Sequence, residues 1–342
     1  MKELAAYISA LILTFVGVEI FRRWSLRRNI LDIPNERSSH KTPTPRGGGL
    51  IMVVVCMVFY GVYAAFAGGN FSYGYFFGAV LIAAVSWYDD LKSLPWAFRF
   101  LIHSTAALLA IYSEGFWRQI YFPVAGEMYL GWFGAALTFF WIVWLTNAYN
   151  FMDGIDGIAG MQALTAGAGW LIGGSIFGLE TAGFYGGVIA CSAFGFLLHN
   201  WQPAKIFMGD VGSAFLGYTF AVMPLLASKE ADSGGNLLPV FGVVCVWLFV
   251  FDTLYTFFRR LLKGEKVWMA HRSHIYQRLV IGGLSHSRVT LVYGILSAFI
   301  LAALIFWVGS VEQAEYFLLA LTLGVCPVLI FTSKKKKIID LT

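Results

Sequence analysis

Charged residues are scarce in this 342-residue sequence. Asp, Glu, Lys and Arg together make up 13% of it, whereas 58% of the residues are hydrophobic. Soluble domains carry about 25% charged residues, so this composition excludes a soluble globular protein. The four cysteines lie in apolar stretches and lack the close spacing of a zinc or disulfide site. No repeat, low-complexity linker or polar domain interrupts the chain, and we predict one membrane-embedded domain over residues 1–342.

Long apolar runs dominate the chain instead. A helix rises about 1.5 Å per residue, so crossing a hydrocarbon core of about 30 Å takes roughly 17 to 25 mostly apolar residues. The runs predict an all-α, polytopic bundle of about eleven transmembrane helices, in which 37 glycines permit close helix contact. The predicted spans are 4–21, 49–67, 71–88, 97–113, 130–148, 158–178, 181–199, 212–228, 237–258, 289–309 and 313–331.

Basic residues are concentrated in alternate gaps between these spans. With the N-terminus outside, 21 of the 24 Lys and Arg fall on the cytoplasmic side, where positive residues are retained. The sequence therefore predicts a periplasmic N-terminus, a cytoplasmic C-terminus and five cytoplasmic loops in a bacterial inner membrane. The net charge of +5 reflects this topology and anionic lipid, not nucleic acid.

The first cytoplasmic loop combines positive charge with three consecutive glycines. Lys41 and Arg46 precede Gly47, Gly48 and Gly49 at the start of an apolar span. Glycines leave backbone N–H groups accessible at a helix start, a geometry suited to phosphate oxygens. A basic juxtamembrane loop with a glycine entry to the helix is the competing interpretation.

The second loop places two adjacent carboxylates, Asp89 and Asp90, directly after an apolar span. Such a pair is costly at a membrane boundary unless a divalent ion, a proton or Lys92 offsets the charge. Helix capping explains one of the two carboxylates. We therefore predict a functional role for the pair.

The third loop is the densest in polar groups. Asn150, Asp153 and Asp156 recur at a spacing of three, which would place them on one face of a helical turn. Oxygen donors of this kind suit Mg²⁺, which takes one or two protein carboxylates and completes its shell with water and phosphates. An EF-hand is excluded because its twelve-residue pattern and closing Glu are absent.

The fourth loop contains Lys205, a charge suited to phosphate, and Asp210, which could simply cap the following helix. In the fifth loop, His271 and His274 would share a face of a helix, but Arg272 between them opposes a bound cation. Recognition of an anion or sugar phosphate is the better chemistry for this loop, and a solvated basic loop is the alternative.

No Gly-x-Ser-x-Gly elbow, Walker loop or dinucleotide fingerprint occurs. Clustered carboxylates with Lys, Arg and glycines at one membrane face are the groups that phosphoryl transfer requires. A water-soluble phosphodonor would then meet a lipid acceptor. A flippase or transporter for a lipid-linked sugar is the competing class, and it predicts polar groups near the bilayer midplane. A lipid phosphatase is a further alternative.

These loops resemble those of the polyprenyl-phosphate N-acetylhexosamine-1-phosphate transferases, glycosyltransferase family 4. The resemblance extends from the first to the fifth loop and rests on Pro45–Gly48, Asp89–Asp90, Asn147–Ala159, Phe207–Ser213 and the His-rich fifth loop. It implies attack by polyprenyl (undecaprenyl) phosphate on the β-phosphate of a UDP-N-acetylhexosamine, with release of UMP. A homodimer is one assembly compatible with this interpretation.

The resemblance also implies residue roles. Asn150 and Asp210 would hold Mg²⁺, with Mn²⁺ as an alternative ion, and Asp89 would be the favoured base with Asp90 beside it. Substrate-binding residues would be Lys41, Arg46, Asp153, Asp156, Lys205, His271, Arg272 and His274.

The fifth-loop sequence, residues 271–278, is similar to that of the O-antigen initiating branch and differs from the consecutive histidines of the peptidoglycan branch. Initiation of O-antigen or a related surface polysaccharide is therefore expected, and synthesis of peptidoglycan lipid I is the alternative.

Overall fold

Helices form most of the chain. The structure is a computed structural model that describes residues 2–34, 42–66, 68–231, 234–266, 271–311 and 313–339. The α-helices of these residues are α1 (Lys2–Arg27), α2 (Gly49–Phe66), α3 (Tyr73–Lys92), α4 (Trp96–Glu114), α5 (Phe133–Met152), α6 (Ile158–Phe177), α7 (Glu180–Asn200), α8 (Asp210–Ser228), α9 (Leu238–Cys245), α10 (Trp247–Leu262), α11 (Ile275–Ile281), α12 (His286–Val308) and α13 (Ala314–Ile339).

Two small antiparallel hairpins lie in the connections. Strand β1 (Leu31–Asp32) pairs with β2 (Thr44–Pro45), and β3 (Gln119–Phe122) pairs with β4 (Gly126–Tyr129). The first hairpin belongs to the first predicted cytoplasmic loop, and the second belongs to the connection between α4 and α5. The fold class is therefore a polytopic helical membrane protein, as the sequence predicts.

Each predicted span coincides with helical structure. Among the described residues, six helices are long and apolar enough to cross a membrane by themselves, and α9 with α10 makes a seventh candidate. The six are α1, α2, α7, α8, α12 and α13. The count of eleven spans and the orientation of the bundle therefore stay predictions.

The predicted span 237–258 is wrong as one continuous helix. Helices α9 and α10 meet at Val246 and bend by 70°. Val246 has a φ of −117° and a ψ of 21°, outside the helical region, so the chain turns there. Val246 is apolar like its neighbours, and a pattern of hydrophobicity therefore could not reveal the break.

The core of the bundle is formed by α7 and α8. Buried residues make up 83% of the apolar part of α7 and 94% of that of α8, against 17% for α1. Helix α7 packs against α1 and α6, and α8 packs against α3 and α5. Two central helices surrounded by others therefore position the loops at each end.

Glycines bring α6 and α7 into close contact. A Cβ atom at Gly174 would lie 2.4 Å from the Cα of Gly183, and one at Gly167 would lie 2.7 Å from the carbonyl oxygen of Gly186. Side chains larger than hydrogen would separate the two backbones. The expected use of glycine for helix packing is therefore confirmed at this pair of helices.

We predict that Gly174→Ala destabilises the protein by about 1–3 kcal/mol, because overpacking forces α6 and α7 apart. Thermal unfolding of the purified protein in detergent measures the effect. Gly61→Ala in α2 is the matched control, since no atom lies within 4 Å of its added Cβ. Equal melting temperatures for the two variants would contradict the packing argument.

Candidate active site

Asp90 holds the N-terminus of α8. Its Oδ1 accepts the backbone N–H of Asp210 at 3.0 Å, and its Oδ2 accepts that of Val211 at 3.1 Å. The first N–H groups of a helix have no partner within the helix, and a carboxylate there is favoured by the helix dipole. Asp90 is 3% exposed, so these bonds replace lost water. The last turn of α3 is thereby joined to the first turn of α8.

Glycine is required beside this junction. Gly209 has a φ of +77°, and a Cβ there would lie 2.6 Å from Oδ2 of Asp90 and 3.1 Å from the Cα of Gly47. The backbone N–H groups of Gly48 and Gly49 donate to the carbonyls of Phe207 and Met208 at 3.0 and 2.9 Å. The first loop therefore packs on the fourth.

Of the two interpretations of the first loop, the structure favours a glycine entry to the helix. The N–H groups of Gly48 and Gly49 are committed to backbone carbonyls and are not presented to phosphate. Hydrogen bonding to a distant loop decides this use, and the local sequence does not show it.

Asp89 points to a different partner from Asp90. Its Oδ2 lies 2.8 Å from Nη1 of Arg99, and its Oδ1 accepts the backbone N–H of Leu94. The same Nη1 lies 3.3 Å from Oδ2 of Asp210. Arg99 thus bridges the carboxylate at the end of α3 and the carboxylate at the start of α8. A guanidinium shared by two carboxylates holds both in fixed positions.

Negative charge accumulates between the ends of α3, α5 and α8. Burial, together with the charges of Asp210, Asp90 and Asp156, raises the pKa of Asp153 well above its usual range. Burial and the neighbouring Asp210 raise the pKa of Asp90, which lies beyond the predicted span, to about 7. Backbone donors and Arg46, whose Nη1 is 4.0 Å from Asp90, oppose this rise only in part. A bound cation would relieve the repulsion.

The side chains available as metal ligands fit a cation that is also held by phosphate oxygens of the substrate. Within the described residues, no three His, Cys, Asp or Glu side chains converge on a metal position. The Asn150 side-chain amide donates a hydrogen bond to the Asp210 carboxylate, so the two side chains lie side by side. Mg²⁺ commonly takes one or two protein ligands and fills its shell with water and phosphate oxygens. Asn150 and Asp210 fit that pattern.

The Asp156 side chain contacts the connection between α7 and α8 and the start of α12. Helix α5 ends at Met152, so the predicted common helical face of Asn150, Asp153 and Asp156 is wrong for Asp156. Its Oδ2 accepts the N–H of Ala204 at 3.1 Å, and its Oδ1 lies 3.3 Å from Nδ1 of His286 at the start of α12. These contacts join three connections of the bundle, and a role in binding nucleotide stays a prediction.

The fifth loop is organised by Asp252, a carboxylate of α10 that is 0% exposed. It accepts the N–H groups of Ile275 and Tyr276 at 2.8 and 3.1 Å and the Tyr293 hydroxyl at 2.7 Å. Nδ1 of His274 lies 3.2 Å from its Oδ1. Asp252 therefore caps α11 and fixes the ring of His274.

His271 and His274 lie close together, although they are not on one helix. Helix α11 begins at Ile275, and the two rings are 4.9 Å apart between centroids. Burial, His274, Arg260 and Arg259 lower the pKa of His271 to about 4. The neutral ring of His271 interacts through Nδ1 with the Ser273 hydroxyl at 2.9 Å. The predicted helical face is wrong here, but the pairing of the rings is present.

Three predicted binding residues remain: Arg272, Lys205 and Lys41. Arg272 is half-buried. Lys205 is exposed in the fourth loop, and its backbone N–H donates to the carbonyl of His199 at 2.9 Å. Lys41 lies outside the described residues. The binding roles of all three stay predictions.

The sequence of this chain is similar to that of known proteins. The profile of "Glycosyl transferase family 4" matches residues 72–228, which span α3 to α8. The chain is 32% identical over 303 residues to the probable undecaprenyl-phosphate N-acetylglucosaminyl 1-phosphate transferase of Bacillus subtilis, covering 85% of this chain and 81% of that protein. The chain belongs to glycosyl transferase family 4.

Two further relatives show the breadth of this family. The decaprenyl-phosphate N-acetylglucosaminephosphotransferase of Mycobacterium tuberculosis is 31% identical over 325 residues, covering 85% of this chain and 79% of that protein. The phospho-N-acetylmuramoyl-pentapeptide-transferase of Listeria welshimeri is 26% identical over 309 residues, covering 84% and 93%.

Sequence reasoning did not select three residues that organise this family member's site: Arg99, Asp252 and His286. Each lies within or at the end of an apolar helix. Their partners are far away along the chain, such as Asp210, which is 111 residues from Arg99. A charged residue at the end of or within an apolar span was the available signal, because such a group needs a partner.

We predict that Asp252→Asn destabilises the protein by roughly 3–5 kcal/mol, because it removes the buried negative charge that accepts several hydrogen bonds and weakens the cap of α11. Thermal unfolding in detergent measures this change. Tyr293→Phe removes one donor to the same carboxylate and should cost about 2 kcal/mol. If Asp252→Asn melts at or above the temperature of Tyr293→Phe, the role given to Asp252 is wrong.

Proposed function

We propose that this protein transfers an N-acetylhexosamine 1-phosphate from a UDP-sugar to polyprenyl phosphate at the cytoplasmic face of a bacterial inner membrane. One observation carries the proposal: Asp89, Asp90, Asp153, Asp210 and Arg99 gather at one end of the bundle. Membership of the family and the named activities of the relatives support it. The product would begin an O-antigen or a related surface polysaccharide.

The reaction is a phosphoryl substitution. An oxygen of the lipid phosphate forms a bond to the β-phosphorus of the UDP-sugar, and the bond between that phosphorus and the bridging oxygen breaks. UMP leaves with this oxygen, and the sugar stays attached through the lipid diphosphate. Charge on the phosphates dominates the barrier, so positioned cations and fixed polar groups supply most of the catalysis.

Asn150 and Asp210 would hold Mg²⁺, which supplies positive charge to the phosphate oxygens when bound. Arg99 fixes the Asp210 carboxylate from one side, and Asp90 fixes the helix start from which Asp210 projects. The ion pair between Asp89 and Arg99 favours a positioning role for Asp89 over that of a base. A lipid phosphate is largely ionised at neutral pH and makes little demand for a base.

The fifth loop supplies the proposed contact with the sugar. His271, with a pKa of about 4, is neutral at physiological pH and would meet a sugar or phosphate by hydrogen bonding. Arg272 beside it brings a guanidinium suited to the diphosphate. N-acetylglucosamine is the favoured sugar because the relatives from Bacillus subtilis and Mycobacterium tuberculosis are named for it.

Two other functions are weaker. Synthesis of peptidoglycan lipid I is favoured only by the 26% identity to the Listeria welshimeri transferase. A transporter would share the bend at Val246, but its polar groups should lie near the bilayer midplane. In this protein the carboxylates of the site lie at the ends of α3 and α5 and at the start of α8.

We predict that purified protein with undecaprenyl phosphate, Mg²⁺ and UDP-N-acetylglucosamine releases UMP and forms a lipid-linked sugar. Thin-layer chromatography of labelled lipid measures the product. The donor panel should include the UDP-linked N-acetylgalactosamine, N-acetylfucosamine, N-acetylquinovosamine and N-acetylmuramoyl-pentapeptide. A product from the last donor alone would replace the proposal with lipid I synthesis. Absence of product from every donor would refute a transferase.

We predict that Asp210→Ala lowers turnover at least about 100-fold, because a group that fixes charge at the site is lost. Chelation of Mg²⁺ by EDTA should abolish the wild-type activity, and added Mg²⁺ should restore it. Glu127→Ala is the matched control, since Glu127 is exposed on β4 at the other end of the bundle. Near-normal turnover of Asp210→Ala, or full activity in EDTA, would contradict the assigned metal role.

A further inference from the structure

A cavity of about 380 Å³ lies at the end of the bundle opposite the candidate active site. The α2–α3 connection, the end of α4, the start of α7 and the end of α8 enclose it. Tyr73 at this cavity and Asp90 at the active site are separated by most of α3, which is about 26 Å at 1.5 Å per residue. The cavity is therefore separate from the site of phosphoryl transfer.

A buried ion pair forms one wall of the cavity. Glu114, whose side chain is 4% exposed, accepts hydrogen bonds from the hydroxyls of Ser72 and Ser113. Nζ of Lys229 lies 3.3 Å from Oε2 of Glu114 and donates to the Ser113 carbonyl at 2.5 Å. An ammonium has three N–H donors, and these contacts account for two of them. The ammonium of the half-exposed Lys229 can therefore donate one further hydrogen bond to a ligand in the cavity.

The opposite wall supplies an acceptor. Oε2 of Glu230 accepts the backbone N–H groups of Thr181 and Ala182 at 2.9 and 3.5 Å, at the start of α7. The Thr181 hydroxyl adds a third bond, and a carboxylate has about four acceptor positions, so capacity for one further donor remains. Backbone bonds also hold the carboxylate in a fixed position.

Aromatic rings complete the lining. The Tyr73 ring is 4.9 Å from that of Phe71, which lies 5.6 Å from the ring of Tyr60. Tyr73 is 68% exposed. Tyr112, which lies close to Glu114 at the end of α4, is 93% exposed. Exposed tyrosines commonly lie at the membrane–water interface, so we expect the cavity to open near that interface.

This lining selects a chemical class of ligand. Two carboxylates against one lysine disfavour a phosphate or another anion, and the charged groups of Glu114, Lys229 and Glu230 disfavour a wholly apolar ligand. Donors and acceptors at fixed positions suit several hydroxyl groups, and aromatic faces suit the C–H groups of a pyranose ring. The volume falls in the range of about 300–1,000 Å³ that small-molecule sites occupy.

We propose that this cavity binds a polyhydroxylated group of the sugar class, carried either by a free saccharide or by the headgroup of a lipid. Lys229 and Glu230 would hydrogen-bond the hydroxyls, and the rings of Tyr73 and Phe71 would contact the sugar face. This site is additional to the proposed transferase centre and does not depend on it.

Saturation-transfer-difference NMR on the full chain tests the proposal. The protein is placed in phosphatidylcholine nanodiscs, because maltoside detergents carry a sugar that would compete. One arm adds free N-acetylglucosamine, and the other includes monoglucosyl diacylglycerol in the discs. Transfer to sugar ring protons in either arm supports the site, and the arm that gives it identifies the source. No transfer in both arms overturns the proposal.

Variants locate the signal. Tyr73→Ala should reduce the transfer at least fivefold, whereas Tyr129→Ala should leave it unchanged, since Tyr129 is 73% exposed on β4 at the same end. Asp210→Ala should retain the signal even where phosphoryl transfer is lost, which separates this proposal from the proposed function. A signal that survives Tyr73→Ala but disappears in His271→Ala would place the sugar at the catalytic end and overturn the proposal.

Glu114→Gln provides a second test of the cavity wall. It keeps the hydrogen-bonding shape but removes the charge that holds Lys229, so the transfer should again fall. If this buried substitution lowers the melting temperature, the exposed Tyr73→Ala variant decides the outcome.

Discussion

Asp90 accepts the first two backbone N–H groups of α8, and the geometry of the catalytic end depends on this contact. Helix α8 is the most buried of the candidate spans, so its N-terminus cannot be hydrated freely. A carboxylate from α3 satisfies those donors and complements the helix dipole. Because Asp210 is the first residue of α8, the same contact determines where the Asp210 carboxylate lies.

A buried acid caps the start of a helix at a second place in the protein. Asp252, on α10, accepts the first two N–H groups of α11 and also contacts the ring of His274. In both cases a buried acid on one apolar helix holds the start of another helix, and a proposed functional residue lies at that start. Burial of each acid is compensated by several donors, which is what makes a charge tolerable away from water. The two capped starts therefore form the rigid parts of the candidate site.

The arrangement also separates two kinds of chemistry along α3 and α8. Crowded carboxylates and Arg99 lie at one end, suited to phosphates and a cation, whereas the other end combines aromatic rings with a lysine and two glutamates. Both sets of polar groups lie at the ends of apolar helices and not in their middle. Polar groups there avoid the cost of a midplane position, which is why a transferase acting on a membrane lipid can be built mostly from apolar helices.

Hydrophobic run lengths were enough to predict the long helices, because a chain in lipid must satisfy its backbone donors within a helix and face the lipid with apolar side chains. The motifs were enough to predict the family, and the structure brings three of the predicted site residues, Asp89, Asp90 and Asp210, together at one end of the bundle. Sequence could not predict the break at Val246, the capture of the Gly48 and Gly49 N–H groups, or the orientation of Asp156.

Those features were decided only by tertiary structure. Two of them are set by partners that are remote along the chain: Phe207 and Met208 accept from the two glycines, and His286 lies beside Asp156. Local spacing reports which residues share a helical face only while the helix continues, and α5 ends before Asp153. The sequence by itself therefore determined the family of the protein and the connections in which the candidate site residues lie. Packing between distant helix ends determined which donor each carboxylate meets.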